Sequence, residues 1–250
     1  MSNLNRLKKE VRRTMKNLIK LSSVLIKGAL LAVMLMVSPV MMHEAQDIYL
    51  VNIAAPKASP VYFNGRIVAS SSQVEFKGKR YTLTNQHVCR INERLFMNRN
   101  SYVPNEDLIG TDMIIGDRVL KILAISKEHD LCILEPDLEK SAFTLASRSD
   151  VNEQVILIGH PRGLPQTIRE GRIISEQKSS IPWIEKGILK TQMISATSYP
   201  GNSGSPVINR FGNLVGVLFA GQLGIHTEAL IVPLEDVRRF LKNYEANSSK

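Results

Sequence analysis

The sequence predicts an all-β fold, with two six-stranded antiparallel barrels, a C-terminal helix after them and a hydrophobic N-terminal helix before them. Short β-rich segments recur between residues 47 and 233, and glycine and proline residues separate them. Many short strands with such spacing favour a sandwich or a barrel. The segments fall into two sets of about six that divide near residues 140–152, which favours two barrels.

The first set of segments contains many β-branched and aromatic residues, which favour strands. Gly78 and Lys79 supply the turn of a hairpin within this set. The predicted strands of the set are residues 48–53, 65–70, 73–76, 80–84, 114–115, 118–125 and 131–134.

The second set begins after Asp150 and ends in a helix. Its predicted strands are residues 155–158, 166–174, 187–194, 206–208, 214–219 and 229–232. Residues 234–244 carry apolar side chains at positions 234, 237, 240 and 241, which is helical spacing. Pro233 directly before them suits the start of a helix.

The net charge of +9 comes almost wholly from the N-terminus. Residues 1–27 contain eight lysines and arginines and one glutamate, so they carry +7, whereas the remaining 223 residues carry +2. A nucleic-acid-binding protein would instead carry a basic stripe on its folded domain. The distribution of charge therefore argues against nucleic acid as a partner.

An apolar run, residues 28–42, follows the basic segment. Basic residues followed by such a run are typical of a secretory signal. Residues 21–42 could also form a spanning helix, with Lys27 reaching the membrane interface. Ala45 offers a cleavage point, although His43 stands where a small residue is usual. We therefore expect either a cleaved signal or an uncleaved membrane anchor, and both place the remaining chain outside the cytoplasm.

A serine in a glycine-rich turn, Ser203, has the setting of a catalytic nucleophile. Glycines let backbone N–H groups turn toward a developing oxyanion, and those of Gly201 and Ser203 are the predicted oxyanion hole. His87 and Asp130 lie upstream. A hydroxyl nucleophile requires a neighbouring base, and the base requires a carboxylate that fixes its tautomer. The sequence therefore predicts Ser203 as nucleophile, His87 as general base and Asp130 as its partner.

The chain has two cysteines, Cys89 and Cys132, each two residues after one of these predicted catalytic residues. Two cysteines cannot form a disulfide framework, and no metal-ligand spacing is present. Two buried apolar thiols in a barrel core are the favoured interpretation. A disulfide between them remains the alternative, because the neighbouring catalytic residues must meet and an exported protein folds in an oxidising compartment.

These motifs resemble those of the trypsin-like, chymotrypsin-fold serine proteases, in the HtrA/Deg-type and bacterial endopeptidase branch. The similar segments are residues 84–88 around the histidine, 129–134 around the aspartate, 200–207 around the serine, and 158–164 with 171–173 where the second barrel opens. The resemblance covers roughly residues 47–245. It implies the chymotrypsin fold and peptide hydrolysis through an acyl-enzyme intermediate.

The chain departs from the family pattern inside the serine motif. Ser205 stands where the family usually has a second glycine, as it does in the glutamyl endopeptidase branch. Asn202 replaces the aspartate that pairs with a freshly cut N-terminus in digestive trypsins. Activation by that route is therefore expected to be absent. No PDZ domain is expected after the final helix.

The resemblance also implies a primary specificity pocket between residues 195–200 and the strand at residues 214–221. Thr197 would lie near its base, and Leu218 and Ala220 in its wall. Residues 195–199 contain no acid, which argues against a preference for lysine or arginine. The expected preference is for a small or apolar side chain before the cut.

The function expected from the sequence is serine endopeptidase activity on polypeptides, without a cofactor or a metal. The alternative is a membrane-tethered, catalytically inactive binding protein on a protease fold, because fold does not guarantee activity. The expected regions are the signal or anchor at residues 1–45 and barrels at residues 46–147 and 148–250, which together form one peptidase domain. The partners expected are a polypeptide substrate and, through the N-terminal segment, a membrane.

Overall fold

The computed structural model describes residues 49–91, 104–126, 128–176, 178–183, 187–222 and 225–248. The expected N-terminal helix, and with it the signal or anchor, lies outside these residues. Within the described ranges, no helix is long and apolar enough to cross a membrane.

The first sheet closes on itself. Its strands are β1 (Ala58–Phe63), β2 (Arg66–Phe76), β3 (Lys79–Thr84), β4 (Asp112–Ile115), β5 (Arg118–Ile125), β6 (Cys132–Leu134) and β7 (Phe143–Thr144). Their order is β1-β4-β5-β6-β3-β2-β7, and β1 also pairs with β2. Six strands therefore form an antiparallel barrel, and the short β7 adds to β2 in parallel.

The second sheet repeats this plan. Its strands are β8 (Gln154–Gly159), β9 (Thr167–Arg172), β10 (Lys178–Trp183), β11 (Gly187–Ile194), β12 (Pro206–Asn209), β13 (Leu214–Gln222) and β14 (Ile225–Pro233). Their order is β10-β11-β14-β13-β12-β8-β9. A bridge between Ile173 and Ile194 joins the end of β9 to β11, so six strands close while β10 lies outside. The prediction of two six-stranded antiparallel barrels is confirmed, and each barrel carries one additional strand.

Each barrel has its own apolar core. In β4, exposed Asp112 and Ile114 alternate with buried Met113 and Ile115, the period of a half-buried strand. Strand β12 is instead buried along its whole length, because β8 and β13 flank it on both sides. Strand β12 begins three residues after Ser203, so its pairing with β8 and β13 fixes the chain that follows the predicted nucleophile.

Two tight hairpins shape the first barrel. Asn64 and Gly65 join β1 to β2, and Lys77 and Gly78 join β2 to β3, all with positive φ. Positive φ at two successive residues is the backbone of a type I′ turn, whose twist matches that of the flanking strands.

Two strand predictions in the first barrel are wrong. The described part of residues 48–53 is helical, with a π-helical turn at Leu50–Ala54 and a 3₁₀ turn at Ala55–Lys57. Asn52 and Ile53 of this segment are exposed, so its β-rich composition does not mark the buried face of a strand. The segments 65–70 and 73–76 are one strand, β2, because hydrogen bonds from Ser71 and Gln73 satisfy its buried polar stretch.

The predicted C-terminal helix is present as α3 (Leu234–Ser248), four residues longer than expected. Among the described residues, two short α-helices precede it, α1 (Gln86–Cys89) and α2 (Asn105–Leu108). The apolar residues Leu234, Val237 and Leu241 of α3 are buried, as their spacing predicted. The ring of Tyr244 meets that of Tyr81 edge to face at 5.8 Å, so α3 also contacts β3 of the first barrel.

Cys89 and Cys132 form a disulfide, with their Cα atoms 6.6 Å apart, and this corrects the favoured interpretation of two free thiols. Cys132 faces Thr84 in the register of β3 and β6. Helix α1 begins two residues after Thr84 and ends at Cys89. The turn of the chain from β3 into α1 therefore brings Cys89 back to Cys132.

Replacing both cysteines by alanine is expected to lower the free energy of unfolding by about 4 kcal/mol, since the bond closes a 43-residue separation in the unfolded chain. Urea titration of the oxidised protein and the double variant measures this difference. A reductant should destabilise the parent protein and leave the variant unchanged. Equal midpoints for the two oxidised proteins would contradict the prediction.

Candidate active site

His87 and Asp130 form a closely bonded pair. The Nδ1 atom of His87 lies 2.6 Å from Oδ2 of Asp130, and the backbone N–H of His87 donates to Oδ1 at 3.0 Å. The side chain of Asp130 is fully buried, whereas that of His87 is 21% exposed. Both carboxylate oxygens are therefore occupied by one residue, whose imidazole still reaches solvent.

The antiparallel pairing of β3 with β6 explains this meeting. His87 lies three residues after the end of β3, and Asp130 lies two residues before the start of β6. The amide of Asn85 donates to the backbone carbonyl of Asp130 at 2.8 Å and ties the two connections together. An ionised carboxylate at Nδ1 favours the tautomer with its proton there, which leaves Nε2 of His87 as a base.

The loop that carries Ser203 packs near Thr84, the last residue of β3. The backbone N–H of Ser70 in β2 donates to the carbonyl of Ser203 at 2.8 Å, and the hydroxyl of Thr84 donates to the carbonyl of Ser70 at 2.8 Å. A Cβ at Gly204 would lie 2.0 Å from the Ser70 carbonyl oxygen, and Gly204 has φ +84°. Only glycine permits this approach, which brings Ser203 to the strand that leads to His87.

The other side of the loop rests on β13. The N–H of Gly204 donates to the carbonyl of Leu218 at 2.8 Å, and the N–H of Leu218 donates to the carbonyl of Ser205 at 2.9 Å. The Ser203 hydroxyl donates a long bond, 3.4 Å, to the carbonyl of Phe219. The nucleophile loop is thus held between a strand of each barrel.

Two N–H groups in this loop are left for an incoming oxygen. Within the described part of the chain, neither Gly201 nor Ser203 donates its backbone N–H to a protein acceptor, whereas Asn202 donates to Tyr199 at 3.0 Å. Gly201 has φ +97°, and a Cβ there would lie 2.4 Å from the His160 carbonyl oxygen. This backbone conformation requires glycine, and donors of this kind can stabilise a developing oxyanion.

Sequence reasoning missed the residues that support the loop, above all Ser70. Besides its bond to Ser203, Ser70 donates its hydroxyl to the carbonyl of Gly201 at 2.9 Å and accepts from the N–H of His160 at 3.0 Å. Its contact to Gly201 spans 131 residues of sequence, so no local pattern could reveal it. Thr84 and Asn85 could have been found, because they lie three and two residues before His87 in its motif.

His160 is buried beside Ser70, with its Nδ1 atom 3.3 Å from the hydroxyl. Burial, and secondly the charge of Lys140, lower its pKa to about 4. Its imidazole therefore stays neutral at neutral pH and can serve the hydrogen bonds around Gly201.

The free energy of unfolding should fall by roughly 3 kcal/mol between pH 6.5 and pH 4 because of His160 alone. Between pH 4 and pH 6.5 this histidine is protonated in the unfolded chain but neutral in the folded protein. The free energy of unfolding therefore rises with pH across this interval, and the contribution of His160 is constant above pH 6.5. His160→Asn, which keeps a polar group but does not titrate, should remove this part of the slope. Chemical denaturation at several pH values measures it, and identical slopes for both proteins would contradict the assignment.

Ser205 and Asn202 turn inward, toward Gly159. A Cβ at Gly159 would lie 2.1 Å from the Ser205 hydroxyl and 2.6 Å from Oδ1 of Asn202. Both side chains are buried, and neither of these oxygens has a hydrogen-bond partner among the described residues. Gly159 therefore supplies the space that the serine at position 205 requires.

The two predicted walls of the primary pocket face each other at Gly221 and Ser198, where a Cβ on the glycine would lie 3.6 Å from the Ser198 carbonyl oxygen. Thr197 and Ala220 are half-buried. The side chain of Leu218 is 1% exposed and packs in the core of the second barrel. The role of these residues in specificity stays a prediction.

Comparison with known proteins identifies the family. A model described as the trypsin-like peptidase domain matches residues 64–217. The chain belongs to the trypsin-like peptidase family. The family membership that the sequence motifs suggested is therefore confirmed.

Curated relatives include proteins described as "Serine protease HtrA-like" from two strains of Staphylococcus aureus. The protein of strain bovine RF122 is 25% identical over 179 residues, and that of strain USA300 is 27% identical over 180 residues. Each match covers 66% of this chain and 22% of the relative. This trypsin-like peptidase thus spans about a fifth of the length of these relatives.

Solved structures of similar fold include the active form of the Rv3671c protease from M. tuberculosis, with TM-score 0.56 and 18% identity over 80% of this chain and 84% of that one. The HtrA-type protease AlgW with a decapeptide has TM-score 0.59 and 19% identity over 80% and 67% of the two chains. The serine endoprotease from Yersinia pestis has TM-score 0.54 and 21% identity over 80% and 66%. These likenesses establish the chymotrypsin fold for this trypsin-like peptidase.

Proposed function

We propose that this trypsin-like peptidase is a serine endopeptidase in which Ser203, His87 and Asp130 form the catalytic triad. The observation that carries the proposal is the pair of hydrogen bonds from His87 to the buried carboxylate of Asp130, at 2.6 and 3.0 Å. In this arrangement Nδ1 of His87 donates a hydrogen bond to the carboxylate, and Nε2 would act as the base. The Ser203 loop packs at the end of the strand that leads to this base.

The proposed reaction begins when Nε2 of His87 accepts the proton of the Ser203 hydroxyl and the oxygen attacks the substrate carbonyl carbon. The carbonyl oxygen becomes negative and accepts hydrogen bonds from the N–H groups of Gly201 and Ser203. When the C–N bond breaks, the imidazolium returns its proton to the leaving amine. Water then attacks the ester, with His87 again as base, and releases the carboxylic acid and the free serine.

Asp130 would act by orienting His87 and stabilising its charged form. Its carboxylate is shielded from water and bonds both the ring and the backbone of His87. Burial strengthens its attraction to the imidazolium that forms during proton transfer. The amide of Asn85, bonded to the carbonyl of Asp130, would keep the carboxylate in register.

The proposed substrate is a polypeptide with a small or apolar side chain before the cut. Ser198 and Gly221 face each other, which supports a narrow primary pocket. Thr197 is proposed near its base, and Leu218 and Ala220 in its wall. Residues 195–199 include no carboxylate that could bind a basic side chain.

We also propose that residues 46–250 act outside the cytoplasm as one peptidase domain, with the first barrel in 46–147 and the second in 148–250. The Cys89–Cys132 disulfide supports this, because such bonds persist in oxidising compartments. The basic and apolar segment at residues 1–45 supports export through a cleaved signal or a membrane anchor.

Digestion of unfolded, fluorescently labelled casein by the full chain tests the activity. We expect internal cuts, and sequencing of the peptides should show small or apolar residues before them. Circular dichroism of the same sample verifies that the protein is folded. A folded sample that makes no cuts would contradict the proposal and favour the inactive binding protein.

A further inference from the structure

A pocket of about 410 Å³ lies between the first hairpin and the turn that follows β8. The hairpin is the one that joins β1 to β2, and the turn is the 3₁₀ segment Pro161–Gly163. The pocket is lined by Tyr62, Gly65, Arg66, Ile67, Arg162 and Gly163. It is large enough to receive a side chain and its flanking backbone, and none of the proposed triad residues lines it.

The lining of this pocket is basic. Arg66 and Arg162 are both exposed, and no carboxylate lines the pocket with them. Within the described residues, Arg66 makes no ion pair, although Arg118 and Arg148 elsewhere do. A guanidinium offers a planar fork of donors that matches a carboxylate. The pocket is therefore suited to a carboxylate that the described chain itself does not supply.

Arg162 is held in place by the loop that carries the proposed oxyanion hole. Its φ is +56°, a left-handed conformation that costs energy for a residue with a side chain. Its N–H donates to the carbonyl of Pro200 at 2.6 Å, and its guanidinium lies 3.9 Å from the centre of the Tyr199 ring. Arg162 therefore contacts both residues that directly precede Gly201, and it links the pocket to the proposed oxyanion hole.

The pocket lies on the side of the nucleophile loop opposite to β13. Strand β13 flanks one side of the loop and forms, with residues 195–200, the proposed primary pocket, which takes the acyl part of the substrate. The end of that segment, Tyr199 and Pro200, also contacts Arg162. On the other side, Gly201 contacts the His160–Gly163 turn, and Gly163 contacts Ile67. The leaving-group part of the substrate must extend over that second side.

We infer that this pocket binds a carboxylate on the leaving-group part of the substrate, so that cleavage is favoured when an aspartate or glutamate follows the cut. The inference rests on the proposed function of Ser203. Ile67 lies three residues from Ser70, whose N–H bonds the Ser203 carbonyl, and this corresponds to roughly 10 Å along a strand. An extended substrate covers that distance in two to three residues, so the acidic side chain belongs at the second or third position after the cut.

The test uses internally quenched peptides built on one cleavage site mapped in casein. One peptide carries glutamate at the second and third positions after the cut and a C-terminal amide, and its partner carries glutamine there. A third peptide carries glutamine and a free C-terminal carboxylate close to the cut. The full chain should cleave the glutamate peptide with a kcat/KM about tenfold above that of its glutamine partner, and this ratio should fall with added salt.

Two variants separate the pocket from general electrostatics. Arg66→Gln removes one exposed guanidinium from the lining and should lower the ratio of the two amidated peptides by at least about threefold, with Arg162 still in place. Arg210→Gln removes an exposed arginine in the β12–β13 turn, where it lies over the Phe211 ring, and should leave both activity and ratio unchanged.

Each outcome decides a different part of the inference. Equal cleavage of the glutamate and glutamine peptides by the parent protein would overturn it while leaving the proposed function intact. A ratio that falls equally in Arg66→Gln and Arg210→Gln would also overturn it, because net charge would then explain the preference. Faster cleavage of only the free-carboxylate peptide would overturn the side-chain assignment and show capture of a chain terminus. Cleavage of no peptide would overturn the proposed function and the inference together.

Discussion

Replacing Ser203 by alanine is expected to lower kcat for peptide hydrolysis by about 10⁶-fold. The substitution removes the oxygen that would form the acyl-enzyme and leaves the backbone N–H groups of Gly201 and Ser203 in place. The residue is half-buried in a loop held by backbone bonds to Ser70 and Leu218, so the fold should persist. Initial rates with a quenched peptide, for parent and variant at equal concentration, measure the effect.

Ser205→Ala is the matched control for this prediction. Its hydroxyl lies two residues away in the same loop, is buried, and has no partner among the described residues. Its removal should change kcat by less than about tenfold, because replacing an unpaired buried hydroxyl by a methyl group is close to neutral. An Ser203→Ala protein that retains the activity of the parent would show that Ser203 is not the nucleophile.

Replacing Asp130 by asparagine is expected to lower kcat by about 10⁴-fold. An amide nitrogen at the position of Oδ2 would donate toward Nδ1 of His87 and favour the tautomer with its proton on Nε2. That tautomer cannot accept the proton of Ser203. The loss should appear in kcat at neutral pH, measured at saturating peptide.

Asp137→Asn is the control for the loss of a buried carboxylate. Asp137 is 5% exposed in the first barrel and accepts the N–H of Glu139 at 3.1 Å, a bond that an amide oxygen can also accept. Its substitution should leave kcat within about tenfold of the parent, as expected for a site outside the catalytic centre. A similar loss in both variants would attribute the Asp130 effect to the fold.

The fold could be predicted because its strands are short, separately punctuated and patterned along the chain. The alternation in β4 and the helical spacing of α3 are local properties that survive in the structure. The extra strand β7 was not predicted as a barrel addition, because its partner β2 lies far away in sequence. Strand β10 pairs with the neighbouring β11 as a hairpin and was missed as a local element. The helical segment at Leu50–Ala54 was missed because β-rich composition alone does not specify a strand, and Asn52 and Ile53 stay exposed there.

The candidate site divides in the same way. His87, Asp130 and Ser203 carry short motifs, so sequence could name them before their geometry was known. Ser70 carries no motif, because its role is to connect segments that meet only after both barrels have formed. The Cys89–Cys132 bond was left open, since it depends on the register of β3 with β6.

Reaction of the folded full chain with a fluorophosphonate, followed by peptide mapping in a mass spectrometer, tests the central proposal most directly. An activated serine should react with the phosphorus atom, and the adduct should be found on Ser203. Labelling should be lost after heat denaturation, which separates Ser203 from His87. It should be strongly reduced in Asp130→Asn, because His87 then holds the tautomer that cannot accept the hydroxyl proton. A folded protein that acquires no adduct, or acquires it on another serine, would contradict the account.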